Sequence, residues 1–320
     1  MKAQVYVTDD RYNDYGIERE ILAEVDAEVV VCDLHDPVAA KERLAKADAI
    51  LLNLFNMNRD IISGLKNCRV ISRYGVGIDN VDVTAATKAG IWVARVPSYC
   101  VDEVAVHTVG LLLAAIRRIP ARDRAVRTGG WNLQDTQKAH RMAGRRLGII
   151  GFGAVGREVH KRLSTFQLAE TLVYDPSKDP DFVRELGAEP VPLETLLKES
   201  DYVSIHAPLS DSTTGLIDRE KLALMKPSAI LVNTARGKIV KQPDLVEALR
   251  EGVIAYAALD VLDSEPPVAD DPLLSLDNII LSDHCAYYSE QSIAELKAKA
   301  AYNILEVLKG RSPVYPVNAV

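Results

Sequence analysis

Apolar positions along this chain come in short runs separated by amphipathic stretches. Runs at 4–8, 28–32, 49–52, 70–72 and 92–94 are strand-like, and the segments between them, such as 17–24 and 37–46, space their apolar residues for helices. Strand followed by helix, repeated through this region, predicts a parallel sheet with helices on both faces. The runs lack a polar alternate, as expected of strands covered on both sides. Segment 101–119 predicts one long apolar helix, with Pro120 marking a break after it. Segment 128–145 is polar, carries Gly129, Gly130 and Trp131, and predicts an exposed loop or arm. A second alternating series begins at Leu147, with runs at 147–150, 172–174, 202–206, 230–233, 255–260 and 279–282, and the chain closes on a long helical pattern at 290–309. The pattern as a whole predicts an α/β protein of two doubly wound parallel-sheet units, with helix 101–119 connecting them.

Only the second unit opens on a nucleotide-type fingerprint. Its first strand ends at Ile150 and runs into Gly151-Phe152-Gly153-Ala154-Val155-Gly156, with a helical pattern directly after. Such a turn brings backbone N–H groups and a helix N-terminus to a pyrophosphate. Asp175 closes the next strand, at the distance of about 20 residues where a carboxylate accepts from the adenine ribose hydroxyls and repels a 2′-phosphate. Pro176 and Ser177 follow it, without the arginine that would receive NADP, so NAD is the expected cofactor.

Composition narrows the function classes. The chain has 320 residues, 48% hydrophobic and 26% charged, with a net charge of -7, which fits two globular domains. The balance is acidic, and the arginines at 117, 118, 122, 124 and 127 are interleaved with apolar residues and Asp123, which predicts an exposed helix face and no nucleic-acid partner. No apolar run approaches the ~20 residues of a membrane span, and the N-terminus lacks a signal-peptide core, so no membrane partner is expected. Cys32, Cys68, Cys100 and Cys285 are scattered without metal-ligand spacing, so no metal is expected and a reducing, cytoplasmic setting is.

Three polar residues end or follow late strands: Arg236, Glu265 and His284. Reduction of a 2-keto acid needs a cation to hold the carboxylate and polarise the carbonyl, a proton donor, and a carboxylate to fix the donor's tautomer. Arg, His and Glu suit these roles in that order. Each alone is an ordinary surface residue; their sequence after the fingerprint is what raises them. Cys285 follows His284 directly and reads as either an inert buried thiol or a reactive one beside the site.

Together, Tyr74-Gly75-Val76-Gly77-Ile78-Asp79-Asn80, the fingerprint, His206-Ala207-Pro208-Leu209, Asn233-Thr234-Ala235-Arg236-Gly237, Ala258-Leu259-Asp260-Val261, Glu265-Pro266 and His284 resemble the D-isomer-specific 2-hydroxyacid dehydrogenase family, from about residue 70 to 310. Asp283 to Gln291, and Arg73 before Tyr74, resemble its C-terminal-binding-protein subgroup, although Tyr287 stands where that subgroup carries Trp and Cys285 where Ala or Ile is usual.

The resemblance implies a flavodoxin-like substrate domain (1–100 with 290–320), an inserted Rossmann NAD-binding domain (101–289), a cleft between them and a homodimer with the 120–145 arm at its interface. It implies that Arg236 binds substrate, that Glu265 pairs with His284, and that His284 donates the proton. Thr108, Ile150 to Gly156, Asp175, His206, Ala207, Pro208, Thr213, Thr234, Ala235, Arg236, Asp260, His284 and Ala286 would line the NAD site. Phe55, Arg73, Val76, Gly77, Trp131 and Tyr287 would contact a small 2-keto or 2-hydroxy acid, the backbone at Val76 and Gly77 holding its carboxylate, with Leu54 and Met57 adding apolar walls. Two other readings remain open: an NAD-sensing binding protein of the corepressor type, and a dehydrogenase of a phosphorylated hydroxy acid or an inorganic oxyanion.

Overall fold

The structure is a computed structural model, described here for residues 2–32, 34, 37–132 and 139–320. Part of the expected arm, 133–138, lies outside the described residues. The chain divides into two compact units, Met1–Tyr99 with Ser289–Val320, and Cys100–Tyr288.

The first unit alternates β1 (Ala3–Val7), α1 (Gly16–Leu22), β2 (Ala27–Val31), α2 (Pro37–Leu44), β3 (Ala49–Leu52), α3 (Arg59–Ser63), β4 (Val70–Arg73), α4 (Val83–Lys88) and β5 (Trp92–Ala94). Its five strands lie parallel in the order β2-β1-β3-β4-β5, with Val5 opposite Ala49 and Val70 opposite Trp92. This is a flavodoxin-like order. All four residues of β3 are buried, which is why the central strand reads as a continuous apolar run.

The C-terminal segment returns to this unit through buried polar contacts. The Asn303 amide donates to Ser72 Oγ (3.3 Å) and to the Arg95 carbonyl (3.1 Å), and its oxygen accepts from Tyr315 N–H (3.0 Å). Ser72 Oγ in turn donates to the Ala300 carbonyl at 2.9 Å.

The second unit holds α5 (Val101–Arg117), α6 (Ile119–Arg127), β6 (Arg146–Ile150), α7 (Ala154–Leu163), β7 (Glu170–Tyr174), α8 (Pro180–Glu185), β8 (Glu189–Pro190), α9 (Leu193–Glu199), β9 (Tyr202–Ile205), α10 (Arg219–Ala223), β10 (Ile230–Asn233), α11 (Gln242–Arg250), β11 (Tyr256–Leu259) and β12 (Ile279–Leu281). The long helix α12 (Glu290–Leu308) belongs to the first unit and opens on a Ser289/Ser292 capping box. The second sheet is parallel throughout, in the order β12-β11-β10-β9-β6-β7-β8. Counted from β6 this is the Rossmann order, and its direction reverses between β6 and β9, so the loops after these strands open at the switch point where such sheets bind ligands.

Two features differ from the sequence reading. The strand β8 escaped it, being two residues long and ending in proline. The apolar helix stops two residues early, at Arg117, and the left-handed backbone of Arg118 (φ 57) separates α5 from α6, with Pro120 in the first turn of α6. Arg118 does not belong to an exposed face: it is 5% exposed, and its guanidinium lies 4.3 Å from the centre of the Tyr256 ring. No single helix among the described residues is long and apolar enough to cross a membrane, and α5 with α6 passes that test only as a pair bent by 59°.

Replacing Asn303 with Ala removes three hydrogen bonds and leaves buried partners unsatisfied. It should lower the stability of the first unit by about 2–4 kcal/mol, read as an earlier denaturant midpoint for that unit while signals from the second unit keep theirs.

Candidate active site

The fingerprint divides its labour among three glycines. Gly151 takes φ 91 at the turn after β6, and a Cβ there would press on the backbone N of Ala207. A Cβ at Gly156 would collide with the Gly151 carbonyl oxygen, so this position permits the close approach of turn and helix. A Cβ at Gly153 would meet nothing within 4 Å. Gly153 caps α7 without a side-chain hydrogen bond, so no capping side chain occupies the first-turn N–H groups at the positive end of the helix dipole. Ile150 and Phe152 are buried in the core, which leaves the Phe152 backbone as its functional part, while Ala154 is exposed and Val155 half-buried.

Phe152 N–H donates to Asp175 Oδ2 at 2.8 Å, and Ser177 donates to Oδ1 from its backbone (3.0 Å) and hydroxyl (2.7 Å). Burial pushes the Asp175 carboxyl up, but these hydrogen bonds outweigh it and hold the group below its usual range, as an anion. Uncapped N–H groups at a helix start, with a fixed carboxylate on the neighbouring strand, fit the pyrophosphate and ribose of NAD.

The loops after β9 and β10 complete this edge. Thr213 Oγ1 donates to the Pro208 carbonyl (2.7 Å) and accepts from Ser210 N–H (2.8 Å), closing the turn after Ala207. Thr108 of α5 and Thr234 share a hydrogen bond of 2.8 Å, and Ala235 N–H donates to Asn233 Oδ1. His206 pairs with Ser204 Oγ at 2.8 Å, and burial pushes its imidazole down to about 3, so it is neutral at physiological pH.

The structure brings Arg236, Glu265 and His284 together. Arg236 follows β10 in extended conformation; its Nη1 donates to the Ala235 carbonyl (2.7 Å), and its charge acts on Glu265. Glu265 accepts from Leu262 N–H at 2.9 Å and stands 2.6 Å from His284 Nδ1. Burial pushes the Glu265 carboxyl up, yet His284, Leu262 N–H and Arg236 together pull it below its usual range. An anionic carboxylate only accepts, so Nδ1 carries the hydrogen and Nε2 is the ring atom left for chemistry. The Tyr287 ring stands edge-on to the imidazole at 6.2 Å.

His284 has φ 55, and its segment is anchored by Asp260. The Asp260 carbonyl accepts from His284 N–H (2.9 Å), and its carboxylate accepts from Cys285 N–H (3.0 Å), Ala286 N–H (3.0 Å) and Ser282 Oγ (2.6 Å). Burial and the Asp283 and Asp260 carboxylates raise the Cys285 thiol to about 11, which favours the inert reading over the reactive one.

In the first unit, Arg73 Nη1 donates to the Tyr74 carbonyl (2.7 Å), and Tyr74 hydroxyl donates to the buried Glu18 (2.7 Å), fixing the start of the Val76 and Gly77 turn. Phe55 is half-buried, and its loop is tied by Asp9 Oδ2, which accepts from Leu54 and Phe55 N–H, and by Asn80, which donates to the Asn53 and Phe55 carbonyls. Sequence reading missed Asp9 and Glu18 and gave Asn80 no role, since side-chain contacts to distant backbone leave no motif. Met57 corrects the expectation of a pocket wall: it is fully buried in the unit's core. Trp131 is 89% exposed and so is not packed against the His284 cluster.

Residues 109–286 match the family model described as D-isomer specific 2-hydroxyacid dehydrogenase, NAD binding domain. The chain belongs to the D-isomer-specific 2-hydroxyacid dehydrogenases. A glyoxylate reductase of Korarchaeum cryptofilum is 41% identical over 281 residues, 87% of this chain and 84% of that protein. A D-3-phosphoglycerate dehydrogenase of Methanocaldococcus jannaschii is 37% identical over 98% of this chain but only 59% of its own length. Among solved structures, a D-lactate dehydrogenase of Aquifex aeolicus, complexed with NAD and lactic acid, superposes with a TM-score of 0.87 at 27% identity, covering 96% of each chain. The dehydrogenase is therefore an NAD-dependent oxidoreductase of 2-hydroxy and 2-keto acids, and the binding-protein alternative is not favoured.

The His206 shift sets a pH dependence of stability. The unfolded chain takes up this proton as pH falls below about 6.5, whereas the folded dehydrogenase resists it until about 3. Stability should therefore fall as pH drops through this window, by up to about 2 kcal/mol between pH 7 and 5. His206→Gln should flatten that slope in denaturant titrations at the two pH values; an unchanged slope would contradict the burial of a neutral imidazole.

Proposed function

We propose that His284 is the general acid in reduction and the general base in oxidation, that Glu265 orients it, and that Arg236 binds the substrate carboxylate and polarises the reacting carbonyl. The observation that carries this is the 2.6 Å contact between His284 Nδ1 and Glu265, with Glu265 held anionic. NAD, when bound, supplies or accepts the hydride. In reduction, His284 Nε2 gives its proton to the substrate oxygen as that oxygen gains charge; in oxidation it takes the proton back. Glu265 stabilises the imidazolium in either direction. The backbone of Val76 and Gly77 binds the substrate carboxylate, assisted by Arg73, and Phe55 and Tyr287 limit the side chain.

His284→Ala should lower kcat by about 10²–10⁴-fold with NADH affinity changed only a few-fold. Arg236→Ala should raise KM as well as lower kcat, because it binds ground and transition states alike. Near-normal turnover by His284→Ala in a steady-state NADH oxidation assay would remove the assignment.

The preferred substrate is a small unphosphorylated 2-keto acid such as glyoxylate, hydroxypyruvate or pyruvate. The loop 51–57 carries no cation to hold a distal phosphate, and the Korarchaeum relative is a glyoxylate reductase. Phosphoglycerate dehydrogenase relatives favour the second reading. A panel at fixed NADH decides: the small acids should exceed 3-phosphohydroxypyruvate in kcat/KM by about tenfold or more, the effect of ~1.4 kcal/mol. The reverse order selects the second reading.

Asp175 serves the adenine ribose and selects NAD against NADP. Asp175→Ala should narrow the preference, read as the ratio of kcat/KM for NADH and NADPH; equal values in the native dehydrogenase would overturn this role.

The free cysteines support a cytoplasmic setting. Exposed Val106, Ile119, Val126 and Trp131 support a homodimer formed through α5, α6 and the arm.

A further inference from the structure

The chain has no metal-ligand spacing, yet the fold of the second unit gathers a donor set that sequence separates. His107 comes from α5, Asp260 follows β11 and Cys285 follows β12. One ligand atom from each, an imidazole nitrogen, a carboxylate oxygen and a thiol sulfur, all lie within 4.8 Å of one another. His107 Nε2 is 3.5 Å from Asp260 Oδ1, too long for a good hydrogen bond. It is close to the ~3.3 Å between two ligands on a tetrahedral ion with bonds of ~2.0–2.1 Å. Ser282 Oγ holds the pair in register, donating to Asp260 (2.6 Å) and lying 3.0 Å from His107 Nε2. Asp260 is 1% exposed, so a ligand there meets a fixed carboxylate and not a mobile surface chain. The Cys285 thiol donates to Asp283, and the carboxylates that keep it protonated also supply negative charge for a cation to neutralise.

We propose that His107, Asp260 and Cys285 bind a borderline-soft divalent cation, with Zn²⁺ the best match, and that its occupancy switches the dehydrogenase off. Nitrogen and sulfur donors beside a single carboxylate select Zn²⁺ over Mg²⁺ or Ca²⁺, which require oxygen cages. On binding, the Cys285 proton leaves for solvent, and the Nε2 hydrogen that Ser282 Oγ accepts in the metal-free state is exchanged through solvent for one on Nδ1, which frees the Nε2 lone pair for the ion. Closing the three atoms onto one ion draws Cys285 inward. Cys285 adjoins His284, and the carboxylate it moves towards anchors the backbone of 285 and 286, so His284 shifts against Glu265. The inhibitory half rests on the proposed role of His284; the binding half does not.

The metal-free dehydrogenase is titrated with Co²⁺. The expected result is a thiolate-to-cobalt charge-transfer absorption with four-coordinate ligand-field bands, displaced by Zn²⁺. Cys285→Ser and His107→Gln should lose it, with folding checked by circular dichroism and the buried Cys32, Cys68 and Cys100 serving as internal controls in Cys285→Ser. In parallel, Zn²⁺ should inhibit keto-acid reduction reversibly, a chelator restoring the rate. Each variant, normalised to its own metal-free rate, should be less sensitive by about tenfold or more. No thiolate band, or a band unchanged in Cys285→Ser, overturns the site. A band lost in both variants with full turnover in the Zn²⁺-loaded enzyme overturns the switch. If His284→Ala retains turnover the catalytic reading fails, while the cobalt spectrum still judges the site.

Discussion

The buried carboxylate of Asp260 organises the end of this active site. Left alone, a charge at this depth would cost several kcal/mol. Here it accepts from the N–H groups of Cys285 and Ala286 and from the Ser282 hydroxyl, and so fixes the chain from 282 to 286 against the end of β11. The fixing has a use. His284 sits at φ 55, a backbone region that costs a non-glycine residue of order 1 kcal/mol, and persists there because hydrogen bonds on both sides of it leave no alternative. With its backbone set, the His284 ring meets Glu265, which arrives from the separate loop after β11 and is itself braced by Leu262 N–H. Asp260 thus positions His284, the proton donor we propose, through the backbone while Glu265 does so through the ring.

How much of this the sequence carried follows from how local each interaction is. The strands of both sheets were legible because burial on two faces removes polar alternates, and β8 was not because two residues ending in proline leave no pattern. The fingerprint and Asp175 were legible because turn, strand and helix N-terminus are contiguous in the chain. Arg236, Glu265 and His284 could be nominated by order alone, since a parallel sheet presents the ends of successive strands at one edge. The failures share a cause. Arg118 looked like one more exposed helix arginine, but a left-handed turn carries it inward onto Tyr256. Met57 looked like part of an apolar pocket wall and instead fills the core of its unit. The ties from Asp9 and Asn80 to the 53–55 loop, and the meeting of His107 with Asp260 and Cys285, join residues that no spacing relates.

Two histidines at this edge show that position alone does not make a catalyst. His206 follows β9 and His284 follows β12, so both stand at carboxyl ends of strands in one parallel sheet. Among the described residues the His206 ring pairs with the Ser204 hydroxyl and meets no counter-charge, and burial presses its imidazole down to about 3, so the group is a neutral hydrogen-bonding element. His284 meets a carboxylate that is kept anionic by four separate influences: its own bond to the ring, the ring's charge, Leu262 N–H and Arg236. An imidazolium has a carboxylate partner at His284 and none at His206 among the described residues, and the difference traces to Glu265, a single side chain on a loop. The same logic separates Cys285 from a nucleophilic thiol. Its neighbours Asp260 and Asp283 are negative, so they oppose the thiolate and would welcome a cation in place of the proton. At this edge the sheet fixes where the groups stand, and the sign of the nearest fixed charge decides which chemistry each can perform.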